Sequence, residues 1–141
     1  MPDKLRDVIY YLINKLGSIE SRTKLVKLIY LADVEAKEKF GRTITGLTYI
    51  YHFYGPYAPE IIETALEMDG DEIKEIYNPF FDRYEYIIGE RGKEVGLSHE
   101  EIKVLDRIIK KYGKLGTNDI KEMAYNTDQM RSAKPGEIIP I

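Results

Sequence analysis

The segment Leu25-Val-Lys-Leu-Ile-Tyr-Leu-Ala32 decides the fold of this chain. It is apolar on almost every side of a helical wheel, which is typical of a helix surrounded by other elements. Ser21 or Thr23 provides a start signal, and Gly41 provides a stop signal. The segment therefore predicts a buried central helix that ends before Gly41.

The segments on either side of this helix predict four more helices. A first helix is capped by Asp3 and has one apolar stripe. A capping box, Ser98 with Glu101, opens a later one. The four predicted ranges are 4–16, 59–68, 98–112 and 117–125.

Three segments predict strands. Residues 48–53 form one strand, and residues 72–77 and 84–88 pair as a hairpin around Asn78-Pro79. The tail, 128–141, contains too much proline and glycine for a helix, but 137–139 predict a short edge strand. Residues 1–141 thus predict a single α+β domain, mainly helical, with about five helices and a small antiparallel sheet.

Composition limits the class of protein. The chain has 141 residues, 43% of them hydrophobic and 32% charged, as in an ordinary soluble domain. It has no cysteine, which excludes disulfides, thiolate nucleophiles and cysteine-based zinc sites. No apolar run reaches the ~20 residues of a membrane span, so we expect a cytoplasmic protein with no membrane contact. A single glutamine and many Ile, Glu, Lys and Tyr residues indicate a thermophile-like composition.

Negative charge is concentrated in the middle of the chain. Thirteen carboxylates lie between Glu60 and Glu101, against four cationic side chains. Such a block repels nucleic acid and attracts a basic partner. An ordinary solvated face is the alternative interpretation.

The segment Tyr49-Ile-Tyr-His-Phe-Tyr-Gly-Pro-Tyr-Ala-Pro-Glu60 carries six aromatic rings, counting the imidazole, within nine residues. Gly55 permits a sharp turn and Pro56 fixes the next φ angle. Rings and turn together favour a shaped contact surface; plain packing of a strand against a helix is the alternative. A mixed outcome would bury Tyr30 and Phe53 and expose Tyr54 and Tyr57.

No motif predicts catalysis, a metal site or a cofactor. The chain has two histidines and lacks phosphate-binding loops, HExxH and a nucleophile elbow. An enzyme would need a pocket joining His52, Asp33 and Glu60. Asp33 either faces inward, with hydroxyl donors from Tyr30 or the strand, or forms a surface pair with Lys37. We therefore predict no catalytic residues, no metal and no cofactor.

The segment 108–123 predicts a helix, a short glycine turn and a second helix. This arrangement is compatible with a DNA-binding helix-turn-helix. Its candidate phosphate contacts and base-reading residue are Lys110, Lys111, Lys114, Lys121 and Asn118.

Three segments, in order, resemble the Panacea (SocA-like) antitoxin family. TKLVKLIYLAD at 23–33 resembles the pattern T-x-L-x-K-L-L-Y-x-A-[DQ]. FYGPYAPEI at 53–61 resembles [YG]-G-P-[VFY]-x-x-E-[IL], and 104–120 is similar to the late helix, turn and helix. The family's ending in His and then Pro-Trp is replaced here by Tyr125-Asn-Thr-Asp-Gln129.

The resemblance implies a mainly helical domain with a small sheet. It also implies a protein that neutralises a partner protein, such as a toxin from an adjacent gene, by direct contact. Because tyrosines suit interface hot spots, we expect the contact surface to lie at the aromatic segment. Its candidate residues are Tyr30, Asp33, Tyr49, Tyr51, Tyr54, Gly55, Pro56, Tyr57 and Glu60. A helix-turn-helix transcription regulator is the alternative function.

Overall fold

The computed structural model describes residues 2–141, with side chains from residue 4 onward. The expected capping by the Asp3 side chain therefore lies outside the described part. The helices are α1 (Pro2–Leu16), α2 (Arg22–Phe40), α3 (Pro59–Met68), α4 (His99–Tyr112), α5 (Thr117–Tyr125) and α6 (Asp128–Arg131). The strands are β1 (Ser18–Ile19), β2 (Ile50–His52), β3 (Gly55–Tyr57), β4 (Ile73–Asn78) and β5 (Arg83–Ile88).

Helix α2 is the centre of the fold, as predicted. Every residue from 24 to 34 is buried, and the helix packs against α4, α5 and β3. Ser21 caps its start by accepting a hydrogen bond from the Lys24 amide. Gly41 ends it with a φ angle of 77°, which favours glycine.

The strands form two small antiparallel sheets. One has the order β1-β5-β4, and its β4–β5 hairpin pairs Ile73 with Ile88 and Asn78 with Arg83, as predicted within a residue. The other contains β2 and β3 only. The mainly helical α+β fold is confirmed.

The tail corrects one expectation. A short helix, α6, occupies 128–131, where none was predicted. Thr127 caps it and Met130 is buried, while the proline and glycine that argued against a helix lie beyond it. The predicted edge segment does lie beside β2, because the Ile139 amide donates to the Tyr49 carbonyl at 2.8 Å.

Across residues 2–141, the structure contains no helix with both the length and the apolar character needed to cross a bilayer.

Candidate contact surface and cleft at the first hairpin

The first hairpin (β2, β3 and their turn, residues 50–57) is held firmly against α2 and α5. Lys27 Nζ donates to the Pro56 carbonyl at 2.9 Å, and Tyr125 Oη donates to the Phe53 carbonyl at 3.0 Å. Gly55 has a φ angle of 100°, and an added Cβ would lie 3.3 Å from the Tyr125 ring. Both the φ angle and the close approach therefore require glycine at the turn.

The tip of this hairpin exposes aromatic rings. Phe53 is 87% exposed and Tyr54 is 61% exposed, while Tyr51 and Tyr57 are half-buried. The mixed outcome in which Phe53 is buried is wrong, because the turn begins at Phe53, the last residue of the segment predicted as strand. The exposed rings share one end of the hairpin, where His52 contacts both Phe53 and Tyr57.

Five of the expected contact residues are buried: Gly55 and Pro56 in the hairpin itself, and three more in the core beneath it. Tyr30, Asp33 and Tyr49 are buried, and the two tyrosine rings meet edge to face at 5.2 Å. Tyr30 Oη shares a hydrogen bond of 2.7 Å with Thr127 Oγ1, not with Asp33. In this arrangement the three core residues support the hairpin from below.

Asp33 faces inward, so the alternative of a surface pair with Lys37 is wrong. Its carboxylate accepts from the amides of Ile44 and Thr45 at 2.8 and 3.0 Å, and from Tyr49 Oη at 2.7 Å. The Thr45 hydroxyl donates a fourth bond. Burial raises the pKa of Asp33, although all four donors favour the charged form. The carboxylate ties the loop that leads into the hairpin to α2.

A cleft of about 360 Å³ lies under the hairpin. Lys27, only 2% exposed, is one of the residues that line it. Burial, with a smaller contribution from the positive charge of Lys121, lowers the pKa of Lys27 from 10.5 to about 7. Within the described residues, no carboxylate oxygen lies within 4.0 Å of Lys27 Nζ. The cleft is lined by Arg22, Thr23, Val26, Lys27, His52, Tyr54, Gly55, Tyr57 and Ile62.

An open groove of about 500 Å³ lies on the other side of the tip. It is formed by Tyr51, Phe53 and Tyr125 together with the tail at Pro135 and Gly136. His52 also lines this groove, and the centres of the Tyr51 and Tyr125 rings lie 6.0 Å apart. The aromatic tip thus stands between two concave surfaces.

The structure separates the residues that an enzyme was expected to bring together. His52 lines the cleft, whereas Glu60 is exposed on α3 and lines a different cavity, of about 370 Å³, beside Thr45. Asp33 is bonded to Thr45 in the core. Within residues 2–141, no group of three His, Cys, Asp or Glu residues is placed to hold a metal ion.

The residues named for DNA binding lie on α4, α5 and their connection. Lys110, Lys114 and Asn118 are exposed, and Lys111 Nζ lies 3.8 Å from Glu35 of α2. Lys121 Nζ lies 5.4 Å from the centre of the Tyr54 ring, so it belongs to the surroundings of the first hairpin. DNA binding by this segment stays a prediction.

Sequence reasoning missed two features. The second hairpin (β4, β5 and their turn, residues 73–88) exposes its own aromatic tip, with Phe80 94% exposed and Phe81 beside it. The paired phenylalanines after Asn78-Pro79 were the available signal. Lys27 was also passed over, although it is the one charge in the apolar segment 25–32.

Residues 25–129 match the family model described as "Antitoxin SocA-like, Panacea domain". The match runs from the first turn of α2 into α6 and includes both hairpins. Comparison with curated proteins gives no match. Because the matched residues make up more than half of the chain, it belongs to the SocA-like antitoxin family with the Panacea domain.

Proposed function

We propose that this chain is a non-enzymatic protein-binding module that neutralises a partner protein by direct contact, as an antitoxin does. The observation that carries the proposal is the exposed pair Phe53 and Tyr54 on a firmly seated hairpin. Membership of an antitoxin family supports it. The proposal places this activity in the cytoplasm, with the product of an adjacent gene as the partner.

The anchoring of the hairpin favours binding over mere exposure. Large rings on a fixed backbone lose little conformational entropy when a partner covers them. Bonds from Lys27 and Tyr125 hold the two ends of the turn, and Gly55 is packed between those side chains. Aromatic residues held in this way are typical hot spots of protein interfaces.

The two concave surfaces extend the area that a partner can cover. A stable interface buries roughly 800 Å² on each protein, which two rings alone do not supply. The cleft on one side and the groove on the other offer apolar walls contiguous with the tip. A partner segment that straddles the tip would use all three.

The test is co-expression of the chain with the product of the adjacent gene. We expect growth rescue and co-purification of the two proteins. Phe53→Ala should weaken the complex at least tenfold, since truncation of an interface hot spot costs about 2 kcal/mol or more. The matched control is Phe80→Ala, which removes an equally exposed ring from the second hairpin.

A non-toxic neighbour that forms no complex would contradict the proposal. Equal losses for Phe53→Ala and Phe80→Ala would move the contact away from the first hairpin. If only Phe80→Ala weakened the complex, the second hairpin would be the contact surface.

A further inference from the structure

Two lysines of α2 are buried, and they differ in their hydrogen bonds. Lys24 Nζ donates to both carboxylate oxygens of Glu20 at 2.9 and 3.1 Å and to the Gly113 carbonyl at 2.7 Å. Among the residues whose side chains the structure describes, Lys27 Nζ has a single acceptor, the Pro56 carbonyl. An ammonium group has three N–H donors, so Lys24 is fully bonded and Lys27 has two donors to spare.

A buried cation without a counter-ion is unfavourable for the fold. The single carbonyl partner compensates a small part of the lost hydration. An apolar side chain of similar length would fill the same volume without this penalty. The placement of Lys27 is therefore poorly explained by stability alone.

The surroundings of Lys27 complement a negative charge. From residue 4 onward, where side chains are described, no acidic side chain lines the cleft. Arg22, at its edge, is already bonded to Glu75 at 2.6 Å, which leaves Lys27 as the cation facing the cleft without a described carboxylate partner. Apolar and aromatic walls from Val26, Tyr57 and their neighbours adjoin this charge.

We propose that the cleft binds an anionic group, a carboxylate or phosphate carried on an apolar or aromatic body, with Lys27 Nζ as its charged partner. Its volume of about 360 Å³ lies within the ~300–1,000 Å³ usual for ligand pockets. The inference deepens the proposed function. It rests on that function in one respect, because in the complex the bound anion is an acidic side chain of the partner protein. A free small anion is the other source of the same chemistry.

Binding of an anion has a pH signature. The anion favours the charged form of Lys27, so it raises the pKa of that lysine and proton uptake accompanies binding near and above pH 7. The other titratable groups that face the site are Arg22 from α2, His52, Tyr54 and Tyr57 from the hairpin, and Lys121 from α5. His52 also lines the cleft. Proton uptake on binding is therefore assigned to Lys27 by the difference in uptake between wild type and a Lys27 variant.

The first arm of the experiment uses small probes on the purified full chain. Phenylacetate and phenyl phosphate are compared with neutral phenylacetamide by NMR titration at pH 6.5. We expect the anions to bind at least ten times more tightly than the amide, with shifts at the amides of Gly55 and Tyr57. Lys27→Met should abolish this preference, while Lys110→Met, an equal loss of charge at an exposed site of α4, should keep it.

The second arm uses the complex with the partner protein. We expect Lys27→Met to weaken it at least tenfold and Lys110→Met to leave it unchanged. Loss of probe binding with an intact complex assigns the cleft to a free anion, and loss of both assigns it to an acidic side chain of the partner as well. Loss of the complex without anion-selective probe binding in wild type counts against the site, because Lys27 also anchors the hairpin through the Pro56 carbonyl. If no partner protein is found, the proposed function fails. The probe titration alone then tests whether the cleft binds an anion.

The inference is overturned if wild type binds the anions no better than the amide, whatever Lys27→Met does to the complex. Probe shifts that map away from the cleft in wild type overturn it as well. This mapping needs no variant, so it remains decisive even if Lys27→Met fails to fold.

Discussion

Asp33 and Lys27 lie on the same helix, are equally buried and carry opposite charges, yet their surroundings differ. Asp33 accepts four hydrogen bonds, from Ile44, Thr45 and Tyr49, that draw the following loop onto α2. Lys27 donates one and faces a cleft. A buried charge with a full set of partners organises the fold; one with an incomplete set has bonds left for a ligand.

The comparison is sharpened most by removing Asp33. Asp33→Ala leaves the Ile44 and Thr45 amides and the Tyr49 hydroxyl without their acceptor. We expect a loss of about 3–5 kcal/mol in the free energy of unfolding, measured by urea denaturation. Glu38→Ala, at an exposed site of the same helix, should change it by less than about 0.5 kcal/mol. A loss below about 1 kcal/mol for Asp33→Ala would show that the loop is held by other contacts.

Lys27 should make the free energy of unfolding rise with pH, whereas a lysine in a stabilising ion pair would make it fall. The pKa of Lys27 is 10.5 when unfolded and about 7 when folded, so between these values the unfolded chain binds more protons. Stability therefore rises with pH, by up to about 1.4 kcal/mol per unit and by about 2 kcal/mol from pH 7 to 9. Below pH 7 the penalty of the buried charge is present in full.

The measurement is urea unfolding of wild type and Lys27→Met at several pH values in this window. The rise should be absent from Lys27→Met and retained in Lys110→Met. Parallel curves for wild type and Lys27→Met would mean that Lys27 keeps an ordinary pKa in the folded protein. The cleft would then already be well hydrated.

The two buried lysines provide a third test at pH 8. Lys24→Met leaves the Gly113 carbonyl without its donor and Glu20 without its partner, so we expect a loss of about 1–2 kcal/mol in the free energy of unfolding. Lys27→Met removes one hydrogen bond together with the cost of keeping a lysine of lowered pKa in the core, so we expect no loss. Equal losses in the free energy of unfolding for Lys24→Met and Lys27→Met, measured by thermal or urea denaturation, would contradict the proposed difference between the two lysine sites.

Local signals predicted most of the fold, because they act within a few residues. The capping box at Ser98 and the apolar segment 25–32 placed their helices correctly. The place of Asp33 directly after that segment allowed an inward position but left a surface pair with Lys37 equally open. The amide donors of Asp33 were not predictable, because a loop about a dozen residues later supplies them through its backbone.

The cleft was beyond sequence reasoning for the same physical reason. It exists because Gly55-Pro56 returns to α2 and seats its carbonyl on Lys27, 29 positions away. The exposure of Phe53 depended on where the turn fell within a continuous aromatic run. Neither the separation of two residues along the chain nor their residue types specifies that they come into contact in the fold.

The smallest expected effect on the free energy of unfolding is that of a substitution at the tip of the first hairpin, where the side chain is exposed and not buried like Asp33 and Lys27. Phe53 is 87% exposed, so its ring contributes little to the folded state. We expect Phe53→Ala to change the free energy of unfolding by less than about 0.5 kcal/mol, as surface substitutions do. Thermal denaturation beside Phe80→Ala checks this. A loss above about 1 kcal/mol would mean that the ring packs against the hairpin in solution, and a weakened complex would then reflect a damaged fold instead of a lost contact.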